Sequence, residues 1–184
     1  MNLRKWVRKK ILPLKDILDC FKGMKFEYAL DIGAGTGLFL EIFYNHGIIK
    51  RGIGVETSRR YLRKINDQLS IIGGEELGSE KFDLILFNDV LHHIENKKEF
   101  IRRYASNCLV RGGYVFIKEM NNRNILCKYF SRFHDLIMAR EFIQEISVDE
   151  VKDILVNYEI IFEGNKRILL YDHYWIILKK DSEI

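Results

Sequence analysis

The chain has 184 residues, enough for one domain with a full hydrophobic core and no disulfide or metal staple. It is 47% hydrophobic and 30% charged with both signs interspersed, and no apolar run reaches bilayer length, which excludes a disordered chain and a membrane-spanning helix. Of the net +4, residues 1–25 hold +6 (eight Lys/Arg against Asp16 and Asp19), and the −2 left for the rest argues against a broad nucleic-acid surface.

Residues 3–20 read as an amphipathic helix broken at Pro13, with Leu3, Trp6, Val7, Ile11, Leu14, Ile17 and Leu18 along one face. A strand is expected at Tyr28–Ile32, a helix at Gly37–Asn45, a strand at Gly52–Val55 and a helix from Ser58 to Asp67. A weaker strand follows at Leu69–Ile72. Phe82–Phe87 is nearly continuously apolar and so reads as a strand buried on both faces. A helix near Lys97–Asn107 leads through Arg111-Gly112-Gly113 into a fifth strand, Tyr114–Lys118. This alternation implies a doubly wound α/β fold with a parallel sheet. Arg123–Arg140 then looks helical, and Ser147-x-x-Glu150 is a capping box opening a short helix through Leu155. Tyr158–Phe162 and Tyr174–Lys179 have no helix between them and read as an antiparallel pair closing the sheet. The expected organisation is one domain over 1–184, divided into a basic segment (1–25), a core (26–120), a helical insertion (121–157) and the closing pair (158–184). Cys20, Cys108 and Cys127 are odd in number, far apart and without metal-ligand spacing, which suits a reducing cytoplasm.

The most informative stretch is Asp31-Ile32-Gly33-Ala34-Gly35-Thr36-Gly37. An apolar strand ends in a carboxylate, and glycines at alternate positions then let the backbone turn sharply and a ligand rest on bare main chain. Counting from Gly33, the sixth position of a dinucleotide fingerprint is Leu38, and no Gly-Lys-Ser/Thr follows, so neither that fingerprint nor a P-loop is present. A pyrophosphate ~5 Å from Asp31 would suffer roughly 3 kcal/mol of repulsion per charge pair at an effective dielectric near 20, whereas an ammonium or sulfonium would gain. The loop suits a cationic cofactor.

Four stretches together carry a resemblance: Ala29-Leu-Asp31-Ile-Gly-Ala-Gly-Thr-Gly37, Gly54-Val-Glu56-Thr-Ser58, Phe82-Asp83-Leu-Ile-Leu-Phe-Asn88-Asp89-Val-Leu-His92-His93-Ile and Gly112-Gly-Tyr-Val-Phe-Ile-Lys118-Glu119. In order and spacing they resemble the class I S-adenosylmethionine-dependent methyltransferases over residues 26–120. The resemblance implies a Rossmann-like, doubly wound seven-stranded sheet, mostly parallel with a C-terminal antiparallel strand pair, and S-adenosyl-L-methionine as cofactor. By position Asp31 would attract the methionine ammonium, and Gly33, Ala34, Gly35, Thr36 and Gly37 would line the methionine part. Glu56 would take both ribose hydroxyls, or else is a solvated surface residue, and Thr57 would lie under the adenine. The family's usual Asp after the third strand is absent, with Ile72-Gly73-Gly74-Glu75 in its place; Glu75 or a backbone carbonyl would then meet the adenine amine. Asn88 would contact the methionine part. Asp89 would do the same or cap a helix starting near Val90.

His93 and Glu119 are the catalytic candidates: an imidazole near neutrality can accept a proton from an acceptor hydroxyl, and Glu119 lies just past the fifth strand. The alternative for His92-His93 is one packed ring and one solvated ring. No metal site is expected, because adjacent histidines point apart and no third ligand has suitable spacing. Tyr129, Phe130 and Phe133, in the expected helix with His134-Asp135, either line an acceptor cavity or pack on the sheet.

No Asn/Asp-Pro-Pro-Tyr/Phe follows the fourth strand, and no cysteine has the setting of a 5-methylcytosine nucleophile, so DNA is excluded as a substrate. A small-molecule acceptor remains. Trp6, Leu3 and Val7 opposite Arg4, Lys5, Arg8 and Lys9 suit an anionic membrane surface and an amphiphilic or lipid-linked acceptor there; otherwise this helix covers the cofactor pocket with its charges solvated. A tRNA or rRNA methyltransferase and a non-catalytic S-adenosylmethionine-binding partner are the other readings. Nothing in the sequence specifies an oligomeric state.

Overall fold

The computed structural model describes residues 12–120, 145–169 and 171–181. The basic amphipathic stretch over residues 3–11 and the helix expected at Arg123–Arg140 lie outside them. In chain order the elements are α1 (Leu14–Cys20), β1 (Phe26–Ile32), α2 (Leu38–Asn45), β2 (Ile49–Val55), β3 (Arg63–Lys64), β4 (Leu69–Ile72), β5 (Phe82–Asn88), α3 (Lys97–Asn107), β6 (Leu109–Met120), α4 (Val148–Ile154), β7 (Tyr158–Ile168) and β8 (Tyr171–Lys180). Pro13 precedes α1, a position where the missing N–H breaks no helical bond. Asn96 caps α3 by accepting from Glu99 N, and the Ser147/Glu150 box opens α4 as its spacing predicts.

The sheet runs β3-β4-β2-β1-β5-β6-β8-β7. β4, β2, β1, β5 and β6 are mutually parallel; β8 is antiparallel to β6, and β7 to β8. Strand alternation divides the core between the two sheet faces. Leu84 and Leu86 of β5 face Leu38, Phe39, Phe43 and Ile17 of α2 and α1, whereas Ile85 and Phe87 face Ile101 and Ala105 of α3 and Val148 and Val151 of α4. Under α1, Phe21 meets Phe43 edge-on at 4.8 Å and Phe116 at 5.3 Å between ring centroids.

Three expectations need correction. The sheet has eight strands rather than seven, because β3 adds a two-residue antiparallel strand beyond β4. The helix expected from Ser58 to Asp67 is replaced by a single 3-10 turn, Arg59–Tyr61, followed by β3. Tertiary contacts override the local helical preference there: Ile65 packs over Gly37, Arg63 donates to the Thr36 carbonyl at 2.7 Å, and the Asn66 side chain accepts from Gln68 N and Leu69 N, both at 2.8 Å, turning the chain into β4. Finally, the helix expected to start near Val90 is a 3-10 turn, Leu91–His93.

Candidate active site

Ligands of open α/β sheets sit beyond the C-terminal strand ends where the strand order reverses. The chain here moves outward from β1 to β2 and β4, then restarts at β5 and moves the opposite way to β6. The crevice between β1 and β5 is therefore the place to look, and every site residue read from the sequence lies at this edge or on the turns that follow it.

Asp31 is 2% exposed at the end of β1, opposite Gly54 and Leu86 in register. The following loop is anchored by Gly33 N and Ala34 N, which donate to the Val55 carbonyl at 2.9 and 3.1 Å. Gly33 has φ +69°, and a Cβ there would run into the Val90 side chain, so the glycine loop and the turn after β5 are in direct contact. At Gly54 a Cβ would lie 2.5 Å from that of Ala34, which is why the loop can settle on β2.

Glu56 is half-buried and ties two segments together. Its Oε2 accepts from Gly35 N at 2.8 Å, and its Oε1 accepts from Thr57 N and Ser58 N at 2.9 Å and from the Thr57 hydroxyl at 3.3 Å. Thr57 is exposed beside it. After β4, Glu75 is exposed with its carboxylate folded over Gly73, where a Cβ would meet Oε1 at 2.7 Å. The adjacent Glu76, which the sequence did not single out, accepts from Gly73 N at 2.9 Å.

The turn after β5 is gripped from both faces of the sheet by consecutive residues of β6. Lys118, with no exposed surface, donates from Nζ to both Asp89 carboxylate oxygens at 2.6 and 2.8 Å. Glu119, 1% exposed, accepts from Val90 N at 2.8 Å and Leu91 N at 2.7 Å on Oε1, and meets His92 Nδ1 at 2.7 Å with Oε2. Asp89 is held at φ +48°, a conformation that costs a non-glycine residue on the order of 1 kcal/mol and persists only when its surroundings enforce it. Glu119 rather than Asp89 thus takes the first free N–H groups of this turn. His92 is buried and His93 exposed, with ring centroids 4.2 Å apart. Tyr174, buried behind Glu119, donates to the Ile146 carbonyl at 3.0 Å; burial and then the Glu119 carboxylate hold its phenol well above the ordinary range.

Sequence reasoning passed over Lys118 and Arg63. A lysine directly after the apolar run Tyr114–Ile117 was the available signal, since lysine is almost never fully buried without a partner.

The residues fit S-adenosylmethionine. Asn88 ends β5 at 5% exposure with both amide atoms lacking a hydrogen-bond partner, and the Thr36 hydroxyl in the glycine loop is likewise buried without one. Such groups cost about 1–3 kcal/mol each when left unsatisfied, so they mark a place built for a polar ligand. Asp31 would supply a negative charge for an ammonium, and the bare loop would allow close approach. Among the described residues, no group of three or more His, Cys, Asp or Glu could hold a metal ion.

A methyltransferase-domain family model matches residues 4–159. Ubiquinone biosynthesis O-methyltransferases of Coxiella burnetii strains are 27% identical over 107 residues, covering 53% of this chain and 45% of theirs, so the chain spans about half the length of these curated relatives. Solved structures share the fold. A chain of the Haloferax volcanii complex between the Trm112 methyltransferase activator and its methyltransferase superposes with TM-score 0.72 at 13% identity, over 90% of this chain and 88% of that one. Magnesium protoporphyrin IX methyltransferase from Synechocystis PCC 6803, solved with S-adenosylhomocysteine, gives 0.69 at 15% identity over 91% and 80%. The N-methyltransferase NodS of Bradyrhizobium japonicum WM9 gives 0.66 at 15% identity over 98% of both chains. With the family model covering most of its length and the topology in agreement, the chain belongs to the class I S-adenosylmethionine-dependent methyltransferases.

Proposed function

We propose that this chain transfers a methyl group from S-adenosylmethionine to a small amphiphilic acceptor. The cofactor, when bound, supplies an electrophilic methyl on a sulfonium, and the protein has then to align the acceptor and exclude water. Asp31 attracts the methionine ammonium, and Gly33, Ala34, Gly35, Thr36 and Gly37 cradle the methionine part. Glu56 exchanges its bond to Gly35 N for the ribose hydroxyls, Thr57 lies under the adenine, and Glu75 reaches the adenine amine. Asn88 supplies both a donor and an acceptor to the methionine part. Asp89, fixed by Lys118, keeps Asn88 in place.

His93, exposed on the turn after β5, accepts the acceptor's proton as the new bond forms. Glu119 serves by positioning, since its oxygens are committed to Val90, Leu91 and His92. The single observation behind the cofactor reading is the buried, unpartnered amide of Asn88 at the strand-order reversal. The acceptor reading draws on the relatives named for ubiquinone biosynthesis and on the net −2 outside residues 1–25; its amphiphilic character draws on the Trp6-bearing basic segment.

Calorimetry with S-adenosylhomocysteine tests the cofactor site. Asn88→Leu is expected to weaken binding at least ~tenfold, the value of one or two hydrogen bonds to charged groups; unchanged affinity would contradict it. Labelled methyl transfer into a small-molecule extract, compared with total RNA, tests the acceptor class, and label entering RNA alone would overturn it.

A further inference from the structure

We infer that two copies of this chain pair antiparallel through β7, with Asn165 on the two-fold axis. β7 is the last strand of the sheet, and among the described residues nothing pairs with its outer edge over eleven residues. Every large hydrophobic residue exposed among the described residues belongs to this strand or its flanks: Val156, Ile160, Phe162 and Leu169, at 72, 46, 39 and 77%. Long, apolar, unpaired edges are templates for another strand.

The order of charges along β7 selects a second copy as that strand. Acidic Glu159 and Glu163 precede basic Lys166 and Arg167, so a two-fold antiparallel arrangement brings each acidic half against the other copy's basic half. From Phe162 to Ile168 the strand is regular: Glu163 and Arg167 lie opposite Ile176 and Asp172 of β8 and share one sheet face, whereas Phe162 and Ile168 lie opposite Ile177 and Tyr171 and share the other. An axis normal to the sheet keeps these faces aligned. With the axis at Asn165, each Glu163 faces the other copy's Arg167, and each Phe162 faces the other's Ile168. Neighbouring registers are worse. An axis at Glu163 or Lys166 sets like charges against each other, and one at Gly164 sets Phe162 against Lys166. Such cross-strand pairs are the unit of sheet stability, favourable for opposite charges and for apolar neighbours.

The full chain in analytical ultracentrifugation should sediment at twice its 21.9 kDa mass and dissociate on dilution. Arg167→Glu should raise the dissociation constant at least ~tenfold, because two like-charge pairs replace two attractive ones, and the exchange Glu163→Arg/Arg167→Glu should restore the dimer. Asn165→Cys should cross-link to a dimer under mild oxidation that leaves wild type uncross-linked, because opposed Cα atoms in an antiparallel pair are ~5 Å apart, within disulfide reach. Thermal melting confirms that each variant is folded. A chain that stays at 21.9 kDa, or an exchange variant that dimerises no better than Arg167→Glu, would overturn the pairing.

Discussion

Asp31 and Asn88 sit on neighbouring strands, and the cofactor contacts proposed for them rest on different physics. A buried carboxylate acts through charge, so Asp31→Ala should weaken S-adenosylhomocysteine binding by at least ~1 kcal/mol in calorimetry. His93 is exposed on the turn after β5, its ring meeting that of His92 at 4.2 Å between centroids, so His93→Gln should lower turnover of an accepted substrate while leaving cofactor affinity unchanged. Lys118 belongs to the scaffold under both. Removing its ammonium leaves a largely buried Asp89 carboxylate in a strained turn, and Lys118→Met should destabilise the chain by about 3 kcal/mol in urea unfolding. The position of Asp31, the glycines and Glu56 at the C-terminal edge of the sheet could be read from sequence because they lie in one short motif and at the end of the next strand. Lys118 and Arg63 could not, because their partners, Asp89 and the Thr36 carbonyl, are 29 and 27 positions away and meet them only after the sheet forms.

The elements that sequence periodicity located well are those whose apolar pattern agrees with their packing. α3 and β4 have the expected limits, and β5 gains only Asn88. Residues 58–67 mislead because arginine, leucine and lysine favour helix locally, whereas docking on the glycine loop and the Asn66 turn decide the outcome. Asn66→Ala, which frees two N–H groups at the start of β4, should cost about 1 kcal/mol in denaturant unfolding.

α1 is fastened to β7 by Lys166 Nζ on Asp16 at 2.7 Å, and that hydrogen bond, ahead of the partly opposing effect of burial, holds the Asp16 carboxyl below its ordinary value. A lowered carboxyl stabilises the fold above its unfolded value of 3.8, and the contribution fades as pH falls below that towards the folded value. Both side chains are more than a third exposed, so Lys166→Ala should cost less than ~1 kcal/mol near neutrality, and the difference should shrink when unfolding is repeated at about pH 3.

At the scale of the whole molecule, the parallel β4-β2-β1-β5-β6 run gathers five strand ends on one edge, and the β8–β7 pair extends the sheet away from them. The family resemblance anticipated that arrangement, including the antiparallel closing pair; the added β3 is the departure, and it lies on the far edge of the sheet beside the loop that Arg63 braces. The crevice joins a negative charge to bare backbone, which favours a sulfonium donor over a pyrophosphate. Calorimetric titration of the wild-type chain with S-adenosylhomocysteine and, separately, with NAD is the sharpest discriminator between them. Saturable binding of S-adenosylhomocysteine with no response to NAD is expected. Saturable NAD binding without a response to S-adenosylhomocysteine would show that Asp31 does not hold a cationic methyl donor.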